Sequence, residues 1–544
     1  MLVIILPIRL AACVLEINMT DERFHHFGRR DFIKYSCLLA GALALPSFQG
    51  CAIPRKNVPP LEYKTFLLKN ASVVDVVSGQ IVRNAWLIVK DGKIAVVDNS
   101  RATINQRGIV FDLQGRYLIP GLIDAHCHAT VSPVFFMRMM DLLIHARQQK
   151  QNFISAIESG ITTIRDMGSF PVLLHRFIRD IEAGNIPGPR VLYCNSILNI
   201  MGSHPDIPPS DINMFARPVS WLVGMTMNNF KDTAEMEQCL RENARGASFI
   251  KLTLDDQTIF CKKNRKIPVY TKDQLDRIFD FSEKHNLPVS GHHQFKFGFD
   301  RALEYPFHSI EHMATDAVIS DHEIIKMARR NLAIVPTMTV GQSYMMEEAF
   351  DPLPEQYHTP EIVRELQVRK EYFEKEATAH CDPVLHEQNI SALQYYKTIG
   401  CENLWEKKKF LVNPEIYFNM ISNGLKSLQK MNQAGILIGC GIDAGMPLNY
   451  FGGNYREYEI LLRAGFTPIE ILRCATINNA KILNIADKTG SLEKGKFADM
   501  VVLDTNPLED IRALRNPRMV FKEGDLMFSA GRLQKDPDMQ YSPA

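Results

Sequence analysis

Eight short runs of apolar and β-branched residues recur through the middle of this chain, and helical capping signals stand between several of them. The runs are Tyr117–Asp124, Ile161–Asp166, Arg190–Ile197, Phe249–Leu254, Pro288–Gly291, Ser309–Glu311, Ala333–Met338 and Ile436–Asp443. Continuous apolar runs of this length suit strands covered on both faces, the condition of a parallel sheet. Between them, Thr271 with Gln274 precedes Leu275, Ile278 and Phe279, and Ser320 with Glu323 precedes Ile324, Met327 and Ala328. Both are capping boxes, in which side chains satisfy the orphan N–H groups of a helix start. Thr467-Pro468 with Glu470 opens a further helix with proline at its first position. The alternation predicts an α/β fold, a (β/α)8 TIM-like barrel, whose strand carboxyl ends all converge on one face.

Two strand-rich flanks with period-two apolar patterning enclose the barrel segment. Residues 62–117 include Ala71-Ser72-Val73-Val74-Asp75-Val76-Val77, and residues 488–530 include Ala498-Asp499-Met500-Val501-Val502-Leu503. Together they predict a small β-sandwich domain built from both sides of a barrel at 118–487. From Met338 to Ile436 the connection runs about a hundred residues, beyond any ordinary loop, with helical pieces such as Pro360–Ala377. It reads as a helical insertion at 339–432, either a lid over the barrel mouth or a peripheral decoration.

The 544 residues, 46% of them hydrophobic, suffice for one large barrel and a smaller domain. A formal charge of +1, with no basic stripe interleaved with aromatics, argues against nucleic acid as a partner. The eleven cysteines lack any Cys-x-x-Cys pairing and imply no disulfide framework.

Residues 1–55 read as an address. Gly28-Arg29-Arg30-Asp31-Phe32-Ile33-Lys34 precedes an apolar run from Tyr35 to Leu45 and then Phe48-Gln49-Gly50-Cys51. The pattern resembles a bacterial twin-arginine export signal, with an apolar stretch well short of the ~20 residues that span a bilayer. The expected partner is the twin-arginine export machinery and the expected location the bacterial periplasm. Phe48-Gln49-Gly50-Cys51 also has the outline of a lipoprotein box, which would attach the protein to a membrane through lipidated Cys51. Met19 stands where such a signal would normally start, so it competes with Met1 as the initiator.

Five segments with metal-binding chemistry fall at strand ends: Asp124-Ala125-His126-Cys127-His128, Ile250-Lys251-Leu252, Gly291-His292-His293, Ile310-Glu311-His312 and Gly441-Ile442-Asp443-Ala444-Gly445. His126 and His128 alternate along an extended chain, so both rings point to one side and can reach a single cation. His292 and His312 lie twenty residues apart, the spacing of two successive strand ends joined by a short helix. Of the adjacent pair His292 and His293 only one can face the metals, because successive strand residues point to opposite sides. Asp443, at the end of a buried run, needs a compensating partner, for which a metal or its water serves.

At these residues the resemblance is clear. Pro120-Gly121-Leu122-Ile123-Asp124-Ala125-His126-Cys127-His128 resembles the first-strand signature of the amidohydrolase superfamily. The likeness continues through Gly160-Ile161-Thr162-Thr163-Ile164-Arg165-Asp166 and closes at Gly490-Ser491-Leu492-Glu493-Lys494-Gly495-Lys496-Phe497-Ala498-Asp499. It implies two divalent metal ions, zinc by default, with manganese, cobalt or iron suited to the same ligands. By the same resemblance, His126, His128 and Asp443 hold the first, His292 and His312 the second, and a carboxylated Lys251 bridges them. A hydroxide shared by the metals would attack a C–N bond of an amide, peptide or lactam, with Asp443 as proton shuttle.

The pattern looks most like imidazolonepropionase-related and Xaa-Pro-dipeptidase-like members, with small-molecule amide or peptide substrates. Where those dipeptidases carry Thr-Gly-Gly-His-Gly, this chain has Ile200-Met201-Gly202-Ser203-His204-Pro205-Asp206, and Tyr455-Arg456-Glu457 replaces His-Arg-Glu. His204 and Tyr455 are thus the candidate substrate contacts. A one-metal deaminase of an aminated heterocycle is the alternative enzyme, against which Lys251 speaks; a non-catalytic barrel binding protein is the alternative from another class. Association into a homo-oligomer is left open.

Overall fold

A computed structural model describes residues 65–98, 109–135, 141–206, 226–259, 266–401, 412–530 and 539–541. The export signal, Cys51 and the two candidate initiators lie outside the described residues. No helix among the described residues is long and apolar enough to cross a membrane.

The central body is parallel α/β. Strands Leu122–Cys127, Ile161–Asp166 and Arg190–Tyr193 form one parallel ladder. A second runs in the order Met227–Phe230, Ile197–Ile200, Ile250–Thr253, Val289–His292, Ser309–Glu311 and Ala333–Val335. The two are linked where the Ser248 N–H donates to Tyr193 O at 2.8 Å. Residues 436–444 form no ladder strand, yet they bridge the other ends. Ile438 pairs with Ile334 and Ala444 with Cys127, both parallel, and the Ala125 N–H donates to Cys440 O at 2.9 Å.

Three sequence expectations change in detail. The run 117–124 divides at Gly121, with Tyr117–Pro120 antiparallel to Met500–Leu503 in the flanking sheet and Leu122–Cys127 in the parallel one. Thr162 Oγ1 would lie 2.2 Å from any Cβ added at Gly121, so only glycine fits where the chain changes sheets. The third run breaks after Tyr193, because Asn195 adopts a left-handed φ of 65°, and resumes at Ile197. The seventh ends at Val335, and Met338 opens the helix Met338–Tyr344 after Thr337, itself left-handed at φ 47°. The three capping boxes form at Thr271, Ser320 and Thr467 as their spacing requires.

Among the described residues, strands from both flanks share one hydrogen-bonded, branched mixed sheet of nine strands. Its own core is closed by Phe66, Phe111 and Phe521, with ring centroids 5.2–5.5 Å apart. Arg190, on a strand of the parallel body, donates to Asp499 at 2.8 Å and Glu523 at 2.6 Å, tying this sheet to the barrel segment.

The long connection after the seventh run contains helices Pro360–Lys375, Pro383–Ile399 and Pro414–Gln433. Asn389 fastens it to the loop after the first strand, accepting from the Phe135 N–H at 3.3 Å and donating to Pro133 O at 2.7 Å.

Candidate metal centre

Parallel packing brings the strand ends together, and with them His126, His128, Lys251, His292, His312 and Asp443, all lining one cavity of about 160 Å³. His126 Nε2 and His128 Nε2 lie 3.4 and 3.2 Å from Asp443 Oδ1. Donor atoms of His126, His312 and Asp443 fall within 4.8 Å of one another. The His312 ring is 4.7 Å from that of His126 and 4.5 Å from that of His292, centroid to centroid.

The far side of three of these rings is already engaged. His126 Nδ1 meets Glu311 Oε2 at 2.8 Å, His128 Nδ1 meets Gly168 O at 2.5 Å, and His312 Nδ1 meets Thr337 Oγ1 at 2.6 Å. The Glu311 carboxylate and the Gly168 carbonyl only accept, so they place the proton of His126 and His128 on Nδ1 and turn Nε2 toward the cavity, while the Thr337 hydroxyl fixes the orientation of the His312 ring. Burial carries the protonation state the same way: the His126 ring is pushed down to about 4, and His292 and His312 well below their ordinary value. Neutral imidazole is the form that binds cations. For His128, burial pulls downward but the Asp443 carboxylate outweighs it and lifts the ring.

Lys251 Nζ and His292 Nε2 are buried and have no hydrogen-bond partner. Burial draws the Lys251 amine down to about 8, toward the neutral form that can react with carbon dioxide. Buried polar atoms without partners are rare and call for an absent group. The donor set of imidazoles, a carboxylate and a lysine amine fits divalent cations.

Backbone strain concentrates here. Asp443 and His312 have φ of 56° and 75°, and Thr337, which holds His312, has 47°. Non-glycine residues held in this region cost about 1–3 kcal/mol each and persist where the surroundings over-determine them. At Gly445 the chain passes so close that a Cβ would lie 2.2 Å from His128 O, so glycine is required beside the ligand loop.

Glu311 is the functional residue that the strand-end motifs pointed past. Fully buried, it accepts from Arg165 Nη2 at 2.7 Å, Ser290 Oγ at 2.6 Å and Ser309 Oγ at 2.8 Å, besides facing His126. Burial alone would raise its pKa, but Arg165, then His126 and Lys251, hold the carboxyl well below the usual range. Glu311 and Arg165 each stand inside a strand-end motif, and an acid and a base at apolar strand ends were the available signal.

The two substrate candidates part company. His204 lines the cavity, its ring stacked 4.8 Å from that of His292. Tyr455 is not among the described residues lining it: its hydroxyl donates to Glu376 and Arg515 lies over its ring at 4.5 Å, which corrects the expectation of a substrate contact. His293 points away from the cavity and packs against Phe299, 5.6 Å between centroids, so the neighbouring pair resolves to His292 as alternation requires. Within the long connection, Val340, Tyr344, Val412 and Tyr417 line the cavity, so that segment walls the mouth.

Strained loops, inward imidazoles and a parallel α/β scaffold together define a protein with a candidate divalent-metal centre at its strand ends. The chain belongs to the Amidohydrolase family, whose model matches residues 117–527. It is 24% identical over 483 residues to the ochratoxinase of Aspergillus niger, covering 84% of each protein. Among solved structures it resembles a Xaa-Pro dipeptidase with methionine bound in its active site, at a TM-score of 0.63, 22% identity and coverage of 85% of this chain and 99% of that one. Molinate hydrolase superposes at a TM-score of 0.62 with 18% identity, over 87% and 97% of the two chains.

Proposed function

We propose that the protein is a two-metal amidohydrolase that opens an amide-type C–N bond, with the bridged strands forming a closed (β/α)8 barrel. His126, His128 and Asp443 would hold one divalent cation and His292 and His312 the other, zinc being the default. Lys251 would bridge them after its neutral amine adds carbon dioxide and loses a proton to become an anionic carbamate. Two such cations supply Lewis acidity to a carbonyl and acidify a water toward neutrality. Asp443, held ionised by His126 and His128 against the effect of burial, accepts the proton of the attacking water and returns it to the leaving nitrogen. The apolar walls limit competing bulk water, and His204, stacked on His292, stands at the substrate side. The observation that carries this reading is the convergence of Nε2 atoms whose opposite nitrogens are already engaged, beside the unpartnered Lys251 Nζ. Residues 1–55 would direct export to the periplasm by the twin-arginine route, with Cys51 as the point of lipid attachment if that box is processed.

Metal content of chelator-free protein is the test. Near two metals per chain in the wild type, falling in Lys251→Ala, is expected. About one metal, unchanged by the substitution, overturns the bridged centre and favours a one-metal deaminase.

A further inference from the structure

Outside the metal ligands, the cavity is walled by side chains such as Val134, Phe135, Phe170, Ile259, Tyr344 and Met446. Three more of its lining residues each carry a buried polar atom with no hydrogen-bond partner: Ser132 Oγ, Gln294 Oε1 and the Tyr417 hydroxyl. The residues are 5%, 3% and 0% exposed. Gln294 lies near enough to Tyr417 to influence its phenol, yet no hydrogen bond of good geometry joins them. Polar atoms left unpaired in an apolar enclosure are costly, and a ligand that pairs them removes the cost.

All three groups are neutral. Acidic and basic side chains among the described lining residues are confined to the metal cluster and His204. A substrate carboxylate lodged among the apolar walls would be stripped of water, and the described residues lining that part of the cavity carry no charge to compensate it. A neutral amide, by contrast, meets a donor for its carbonyl and an acceptor for its N–H, and a neutral ketone meets the donor alone.

We propose that this cavity selects uncharged amides bearing apolar substituents, and that Tyr417 and Gln294 determine the specificity. The Tyr417 hydroxyl donates to a neutral acceptor of the substrate, and Gln294 Oε1 accepts an N–H. The proposal rests on the hydrolase reading and narrows it, setting free dipeptides aside. Tyr417 comes from the long connection and Gln294 from the loop after the fifth barrel-segment strand, so substrate recognition joins two regions far apart in sequence.

N-hexanoylaniline and N-hexanoyl-4-aminobenzoate differ by one ionised carboxylate. With the metal-loaded full chain, kcat/KM should be at least ~10²-fold higher for the neutral anilide; equal values, or preference for the acid, overturn the proposal. Tyr417→Phe should raise KM for the anilide about tenfold with metal content unchanged, and an unaltered KM removes Tyr417 from the role. Turnover is separated from recognition by calorimetric binding of two uncleavable isosteres, 1-phenylheptan-2-one and its 4-carboxy derivative. The neutral ketone should bind at least ~10-fold tighter; equal binding, or none by either, counts against the cavity. If the ketones separate while no amide is cleaved, the hydrolase reading fails and the recognition stands. If both amides are cleaved at equal rates and the cleavage is lost in Lys251→Ala, the recognition fails and the hydrolase reading stands.

Discussion

Glu311→Gln changes one atom of the carboxylate behind His126 and tests whether that carboxylate sets the tautomer of the ligand. Its Oε1 accepts from Arg165, Ser290 and Ser309, while Oε2 faces His126 Nδ1. Glutamine has one oxygen and one NH2 to place in these positions. With the oxygen toward Arg165, the NH2 confronts His126 Nδ1, which must then accept; the ring proton moves to Nε2, and the lone pair aimed at the cavity is lost. In the other orientation the NH2 meets the Arg165 guanidinium, donor against donor. In both, buried Arg165 loses its counter-charge, a change worth about 3–5 kcal/mol of stability. Metal affinity at the His126 site should fall ~10–100-fold. Metal retained after dialysis against graded chelator measures the second effect, and urea unfolding the first. Ser290→Ala, which removes one donor from Oε1 but leaves the tautomer alone, should keep most of the metal. Wild-type affinity in Glu311→Gln would refute the reasoning, because it would mean that the His126 tautomer does not depend on its partner.

Two further expectations concern the same cavity. Asp443→Asn keeps the size of the side chain but removes the base, so turnover of any amide substrate should drop by about 10²–10⁴ while the fold, followed by circular dichroism, is kept; a drop of less than tenfold would deny Asp443 the proton-transfer role. Burial pushes the His204 ring down to about 3 despite the pull of Asp443, so the unfolded chain takes up near pH 6.5 a proton that the folded chain refuses. That contribution to stability is complete above pH 6.5 and is lost as pH falls toward 3, at up to about 1.4 kcal/mol per pH unit. Urea unfolding of metal-free protein between pH 7 and 4 should therefore show a slope that His204→Gln flattens by up to one proton, and an unchanged slope would contradict the burial argument.

The parallel body and the convergence of the candidate ligands on one cavity were readable because each candidate sits at the end of a short apolar run, where alternation fixes which side chain turns inward. His292 over His293 follows from that rule alone. The chain's change of sheet at Gly121 was hidden because Tyr117–Pro120 and Leu122–Cys127 are equally apolar, and only the close approach of Thr162 separates them. The eighth run, Ile436–Asp443, satisfies its backbone through scattered bridges and bonds rather than a ladder, and hydropathy does not distinguish the two. Glu311 and Arg165 escaped notice because pairing across strands is a tertiary fact. Tyr455 misled because its place beside Arg456-Glu457 suggested the mouth, whereas Glu376 and Arg515 claim its two ends. Nothing in local pattern could have marked Tyr417, since its neighbours Gln294 and Tyr344 come from other parts of the chain.

The long connection supplies cavity walls, while every candidate metal ligand lies outside it. The part of the cavity wall formed by Val340, Tyr344, Val412 and Tyr417 therefore sits on a stretch of the gene that encodes none of the candidate ligands. Exchanges between Met338 and Ile436 can reshape that part of the wall while the ligand side chains stay as they are, so a lineage carrying this arrangement can explore new compounds while its chemistry stays sheltered from the search.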